Sequence, residues 1–373
     1  MVKIQRKSSQ PFYEQIKEGL RREIDTGRYK PGDAIPDERV LAAQLGISRM
    51  TVRRAIVELS REGLLERVSG RGTFLRKSFT PQQKLEKGVV AILVDSDPLE
   101  PMGLVFYRLL QGINLGSESL GMPLVFRKIT RPYEAFVASL RDDPALKGLI
   151  AIWSDAQPLL KLLAKFRAPT VLLDSLQPED ALPLDSVCQD GLAGVQAAMR
   201  HLLLMGHREI GFMAGLQDSA ITAQRQIAYE HALAAHGVPF REELVYKVPL
   251  SGEAAYAKTQ QILNGPAVPT AMVCSLDTMA VGVLAAIVEQ GLRIPRDMSV
   301  IGYGDDGIFT VPQLSTVRVP FEQMGLSAMR LLVDRIARPS APVQNLSIPA
   351  EWISRATCAA PRVGTLPLRA GGD

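Results

Sequence analysis

Arg39, Arg49, Arg53 and Arg54 give the stretch between residues 36 and 59 the chemistry to hold a polyanion. There the chain reads as helix, tight turn, helix. Gly46 supplies the backbone freedom that the turn needs. Ser48 suits the cap of the second helix, its hydroxyl accepting from the backbone N–H near Thr51. At about 100° per residue, Val52, Ala55, Ile56 and Leu59 share one face, and Met50, Arg53, Arg54 and Val57 point away from it. Arg49 sits on the flank of the first turn. An apolar inner stripe with arginines at its outward N-terminal end suits the major groove of duplex DNA, where guanidinium groups donate to phosphates and base edges. Taken alone, the pattern equally describes a solvated basic face on an ordinary helix pair.

The elements that must hold this segment are legible on both sides of it. Phe12, Ile16, Leu20 and Ile24 recur every four residues and predict a helix over 11–25, ended by Gly27. Tyr29-Lys30-Pro31-Gly32-Asp33 is turn chemistry. Residues 62–68 and 73–75 read as short strands joined by the tip Ser69-Gly70-Arg71-Gly72. Three helices and a basic hairpin make a winged helix-turn-helix over residues 1–78. The tip glycines allow close approach to a phosphate backbone or minor groove, and Arg71 supplies charge there. Residues 1–80 hold 17 Lys and Arg against 10 Asp and Glu, a balance of +7, so the remainder carries −3 of the total +4. A polyanionic partner is therefore expected for the first domain alone.

A second chemistry lies in the larger part of the chain. Residues 79–88 are polar and read as a linker. Beyond them strands (89–94, 124–127, 148–153, 170–174) alternate with helices (105–120, 133–141, 159–166), which predicts a parallel sheet covered on both faces. Ligands bind such sheets at the C-terminal ends of strands. Asp95, Trp153, Asp155 and Asp174 fall there. A carboxylate accepts from two sugar hydroxyls, and an indole stacks on an apolar sugar face. The plainer reading of each aspartate is a turn former or helix cap. A second series begins near Val187, with helices over 191–205, 220–236, 254–263 and 278–290 and strands over 208–214, 271–275 and 299–303. The expected fold class is α/β overall: a winged helix-turn-helix plus a bilobed, doubly wound domain over 89–356. Its lobes are expected at about 89–184 with 320–340, and 187–315 with 344–356. Residues 316–319 would return the chain to the first lobe before a helix over 321–337 and one last strand over 345–352. Residues 357–373, rich in Pro, Gly and Arg, are expected to be a disordered tail.

Two resemblances follow from runs of residues. Gln10-Pro11-Phe12-Tyr13-Glu14-Gln15-Ile16, Ile24-Asp25-Thr26-Gly27, Pro31-Gly32-Asp33, Ile35-Pro36-Asp37-Glu38-Arg39, Ser48-Arg49-Met50-Thr51-Val52-Arg53 and Gly70-Arg71-Gly72-Thr73-Phe74 together resemble the DNA-binding domain of GntR-family repressors. The resemblance implies that Arg39, Arg49, Thr51 and Arg53 contact DNA and that Ser69 to Gly72 form the wing. It places Met50 at a variable position that tunes the operator sequence. Asp37 stands where many members have Ser. Further on, Asp190-Gly191, His201-Leu202, Gly206-His207, Ile210-Gly211, Arg225 with Tyr229, Pro269-Thr270-Ala271, the run from Ile294 to Tyr303 and Leu314-Ser315-Thr316-Val317 resemble the effector domain of LacI-family regulators, a fold shared with periplasmic sugar-binding proteins. The combination resembles the arabinose-repressor type of GntR regulator. Carried over by position, Arg225, Asp277 and Asp305 join the effector site. Leu276 replaces a common Asn, and Gly304 separates Tyr303 from the pair Asp305-Asp306, so either aspartate could face the cleft.

Composition narrows the alternatives. An apolar fraction of 46% and a charged fraction of 22% describe a globular chain with room for two or three domains. The three cysteines, Cys188, Cys274 and Cys358, are far apart and lack metal spacing. His201 and His207 straddle a helix end with no third ligand, so no metal is expected, and no cofactor. No apolar signal core and no membrane-length apolar run are present. The expectation is a cytoplasmic, homodimeric, ligand-responsive repressor of double-stranded operator DNA, not an enzyme. A sugar-transport binding protein would share the larger domain but not the basic first one. A pyridoxal enzyme would need a lysine in a cofactor motif, and none is recognisable.

Overall fold

The computed structural model describes residues 11–25, 28–61, 64–68, 72–75, 88–95, 103–154, 156–175, 182–215 and 220–362. The chain divides into two units, Met1–Glu86 and Lys87–Asp373.

The first unit consists of α1 (Phe12–Asp25), α2 (Glu38–Leu45), α3 (Arg49–Arg61) and the antiparallel pair β1 (Leu65–Val68) and β2 (Gly72–Leu75). Ile16, Leu20 and Ile24 of α1 meet Val52, Ala55, Ile56 and Leu59 of α3 in one core, closed by Ile35, Leu41, Leu65 and Leu75. Asp37 caps α2 by accepting from the Arg39 N–H, and Gly46 ends it in the left-handed conformation at φ 63°. The segment before α2 lies along β2: the Ile35 N–H donates to Thr73 O, and the Leu75 N–H donates to Asp33 O.

The second unit alternates strands and helices. Its first run is β3 (Val89–Val94), α4 (Gly103–Leu120), β4 (Leu124–Lys128), α5 (Tyr133–Arg141), β5 (Leu146–Ile152), α6 (Gln157–Leu163), β6 (Thr170–Leu173) and β7 (Asp185–Asp190). Its second run is α7 (Gly191–Leu204), β8 (Ile210–Gly215), α8 (Ala220–Ala235), β9 (Val245–Val248), α9 (Gly252–Leu263), β10 (Ala271–Cys274), α10 (Asp277–Glu289), β11 (Ser299–Gly304) and β12 (Ser315–Arg318). The chain ends with α11 (Phe321–Ala337), β13 (Asn345–Pro349) and β14 (Glu351–Ile353). Two six-stranded sheets result, ordered β13-β7-β6-β5-β3-β4 and β14-β12-β11-β10-β8-β9. All pairings within them are parallel except β14 against β12. Each sheet is the centre of a lobe. In lobe one, α5 and α6 bury Phe136, Leu140, Leu159 and Leu163 on one face, and α11 crosses α4 on the other. That crossing is backbone to backbone: a Cβ on Gly112 would collide with the Glu322 carbonyl, and one on Gly325 with the Leu109 carbonyl.

The lobe boundaries differ from those expected. The strand around Val187 belongs to lobe one, because β7 pairs with β6 and β13 and because Asp185 holds Arg335 of α11 at 2.7 Å. Residues 316–318 do not carry the chain back; they form β12 inside the lobe-two sheet. The expected last strand over 345–352 is two strands, broken at Ala350, one in each sheet. Strand β9, at the edge of lobe two, was not anticipated. Residues 357–362 are part of the fold rather than a tail. Thr357 Oγ1 donates to Val300 O at 2.6 Å and accepts from the Ser315 N–H, and Ala359 O accepts from Ser299 Oγ. Composition alone cannot show that this segment supplies hydrogen bonds to β11.

Candidate nucleic-acid interface and ligand cleft

The start of α3 is shaped by its cap. Ser48 Oγ accepts from the Thr51 N–H at 3.1 Å and lies 2.8 Å from Thr51 Oγ1. Arg49, Met50 and Arg53 are exposed, as is Arg39 on α2, and Met50 retains 70% of its surface. Arg54 is held differently. Its guanidinium lies 3.7 Å from the centre of the Tyr13 ring and pairs with Glu58 at 3.3 Å, tying α3 to α1. Gly72 opens β2 at φ 115°. Ser69, Gly70 and Arg71 lie outside the described residues. Sequence reasoning gave no role to Glu38, which is buried and pairs with both Arg49 and Arg67. The only signal was its place beside Arg39, since the contact with Arg67 spans 29 residues.

In the larger unit, lobe one brings Trp153, Asp174 and Gln189 together. Trp153 and Asp174 each follow a strand in the left-handed region, at φ 49° and 52°. Such backbone persists only where the surroundings demand it. Trp153 Nε1 donates to Asp174 Oδ2 at 2.9 Å, and Gln189 Nε2 donates to both Asp174 oxygens at 2.9 and 3.1 Å. Asp174 therefore orients Trp153 and Gln189. Asp95 follows β3 and is exposed. Asp155 lies outside the described residues.

Lobe two answers with Arg225 and Tyr303. Arg225 is buried in α8. Its Nη1 donates to Ser275 O at 2.7 Å, its Nη2 lies 3.5 Å from Gln189 Oε1, and its guanidinium stacks 3.8 Å from the Tyr303 ring centre. The Tyr303 hydroxyl donates to Gln189 Oε1. The lobes meet again where Arg108 of α4 donates to Asp305 O at 2.8 Å. A cavity of about 260 Å³ opens beside Gln189, lined by Asp190 and Asn345 from lobe one and Gln224 from lobe two.

Two expected ligand carboxylates are already engaged. Asp277 accepts from Thr316 Oγ1 at 2.6 Å and from the Asp306 N–H at 2.9 Å, so it anchors the loop after β11. Burial pushes its carboxyl up. Asp305 is clamped at 2.6 Å by both Arg318 and Arg355. Burial works against its ionisation, but the two guanidinium groups outweigh it and hold the carboxyl below its ordinary range. Asp306 is the group left over. It is buried, and burial together with the neighbouring Asp277 pushes its carboxyl up to about 7 against the pull of Arg108 and Arg225. Among the described residues, Asp306 Oδ1, Arg225 Nε and Ser275 Oγ are buried without a hydrogen-bond partner. His207 uses both ring nitrogens, on Thr270 Oγ1 and Ala359 O, each at 2.8 Å.

A capped, arginine-bearing recognition helix with a β-hairpin, joined to a bilobed α/β unit, defines the class: a DNA-binding transcription regulator with an effector domain. Residues 12–75 match the bacterial regulatory proteins of the gntR family, and residues 199–358 match the periplasmic binding protein-like domain. Over 233 residues the chain is 32% identical to the HTH-type transcriptional repressor PurR of Shigella sonnei and 33% identical to that of Pectobacterium carotovorum, covering 61% of this chain and 67% of each relative. The fold is that of a LacI regulator from Bacillus cereus subsp. cytotoxis, with a TM-score of 0.68 at 23% identity over 74% of this chain and all of that one. A LacI-family regulator from Enterococcus faecium with bound ribose superimposes with a TM-score of 0.64 at 22% identity over 74% of this chain and all of that one. A CelR–cellobiose complex gives 0.65 at 23% identity over 87% and 100%. The chain belongs to the LacI/PurR family of transcription regulators and carries a gntR-type DNA-binding domain. No helix among the described residues is long and apolar enough to cross a membrane.

Proposed function

We propose that this protein is a repressor whose grip on operator DNA is set by a small polyhydroxylated molecule, a sugar or sugar derivative, held between the two lobes. The observation that carries this reading is the set of buried atoms without partners: Arg225 Nε, Ser275 Oγ and Asp306 Oδ1. Leaving such groups unsatisfied costs about 1–3 kcal/mol each, a cost that a ligand with several hydroxyls removes. Trp153, oriented by Asp174, would supply an aromatic face for a sugar ring. Of the aspartates considered, Asp306 takes the ligand, Asp277 and Asp305 hold its loop, and Asp95 is exposed after β3. In the DNA-binding unit, Arg39, Arg49, Thr51 and Arg53 contact the duplex, Met50 tunes sequence preference, and Ser69 to Gly72 lie against the backbone. Arg54 serves the packing of α3 on α1. Two copies acting as a homodimer would read a pseudo-palindromic site. Ribose bound to one relative of this fold and cellobiose bound to another support the ligand class.

The test is a thermal-shift screen of the full chain against monosaccharides, sugar acids, ribose, cellobiose and purine bases. A sugar at a hundred times its Kd should stabilise the protein by about 2.7 kcal/mol. Asp306→Asn and Arg225→Lys should abolish that shift while leaving binding to DNA in place. If a purine base gives the shift and no sugar does, the sugar reading fails and the cleft stands. If an active sugar stabilises both variants as well as it does the parent, the cleft assignment fails.

A further inference from the structure

One carboxylate in the DNA-binding unit has no part in the contacts assigned above. Glu38 opens α2 directly after the cap Asp37, and its side chain is only 8% exposed. Its Oε2 lies 3.5 Å from Nε of Arg49, and its Oε1 accepts from Nη2 of Arg67. The partners come from separate elements: Arg49 starts α3, and Arg67 lies in β1. Their side chains are 52% and 41% exposed. One buried anion thus locates two half-exposed cations, one at the head of the recognition helix and one on the wing.

Helix α2 does not need this arrangement, because Asp37 already caps it. A carboxylate present only to moderate charge would stay in water, since burial is costly unless the group is well paired. The geometry of the pair also matters. Glu38 takes the Nε side of Arg49 and leaves the two terminal amino groups to make a fork on a base edge or phosphate.

We propose that Glu38 is a positioning residue for DNA recognition: it fixes Arg49 and Arg67 before DNA arrives, so that both cations lose little freedom on docking. It also subtracts one charge from the surface and thereby lowers attraction to any sequence. Both effects widen the gap between specific and non-specific binding. The proposal rests on the reading of Arg49 as a DNA contact.

The test uses the full chain and a duplex that the parent protein itself enriches from a random-sequence pool, with a base-scrambled version as the non-specific probe. Affinities are measured by fluorescence anisotropy at several salt concentrations, with thermal melting as the check of fold. Glu38→Gln should bind the enriched duplex about tenfold more weakly and the scrambled one as tightly as the parent or tighter, with a steeper salt dependence. Glu38→Asp, which keeps the charge and shortens the reach, should fall in between; should the amide variant not fold, the aspartate variant is read by the same criteria. In a background carrying both Arg49→Ala and Arg67→Ala, Glu38→Gln should add less than about twofold, because its effect runs through those two arginines. A full additive loss in that background overturns the proposal, as does equal weakening on both duplexes, or parental affinity in both Glu38 variants. Arg49→Ala binding as tightly as the parent overturns the contact reading as well, which separates the two failures.

Discussion

At the scale of single residues, Asp306 is the most informative group in the cleft. It is almost fully buried and faces the carboxylates of Asp277 and Asp305 and the guanidinium groups of Arg108 and Arg225. Its carboxyl is raised from 3.8 to about 7, first by burial and then by Asp277. Between those values the native state keeps a proton that the unfolded chain has released. The native state binds more protons there, so stability falls as pH rises through that window. Asp277, also raised, adds to the trend, whereas His207, held neutral by burial, opposes it. The difference between parent and Asp306→Asn isolates the one group. Without ligand, the parent should lose melting temperature relative to Asp306→Asn as the buffer moves from about pH 4.5 to about pH 7. Parallel melting curves across that range would show that Asp306 does not hold its proton.

At the scale of elements, the seam between α4 and α11 fixes lobe one. Gly112 and Gly325 let the two backbones touch, and Gly116 makes room for the Met329 side chain. Overpacking a close contact costs about 1–3 kcal/mol, so Gly112→Ala should lower stability by that amount. Asn114→Ala, on the exposed side of the same helix, should change it by no more than about 0.5 kcal/mol. Equal effects in chemical denaturation would mean that the seam relaxes freely. The seam also shows what was legible beforehand. The span of α11 follows from its own periodicity, as do α3 and the alternation of strands and helices, because each pattern is local. Lobe membership is not local. β7 joins lobe one through an ion pair between Asp185 and Arg335, 150 residues apart, and β13 follows it. Asp305 and Asp306 are neighbours in sequence, yet Arg355, fifty positions later, decides which one is clamped and which is left over. Strand β9 has four residues at a sheet edge, too few for a period to show. Residues 357–362 looked like tail because their hydrogen bonds go to β11 and His207 and not to one another.

At the scale of the whole molecule, the proposed function requires a ligand in one unit to govern DNA binding by the other. The distribution of charge assigns the tasks: the balance of +7 lies in residues 1–80, and the remainder is slightly acidic. Contact with DNA therefore belongs to the small unit, and on the proposed reading a ligand acts on it by shifting an equilibrium between two states of the larger one. Three bonds across the cleft, Arg225 to Gln189, Tyr303 to Gln189 and Arg108 to Asp305 O, would hold one of those states. A ligand shifts the balance by no more than its difference in affinity between the states. Linkage then imposes an equality. If an active sugar changes the affinity for the enriched duplex by some factor, the duplex must change the affinity for the sugar by the same factor. Allosteric coupling is typically about 1–3 kcal/mol, or roughly 5- to 150-fold. Calorimetric titration of sugar into free protein and into the protein–duplex complex measures one side, and anisotropy with and without sugar measures the other. Arg108→Ala removes one of these cross-cleft bonds and should change the coupling on both sides equally. Coupling factors that differ between the two titrations would show that the sugar site and the DNA-binding unit are not linked through a common pair of states.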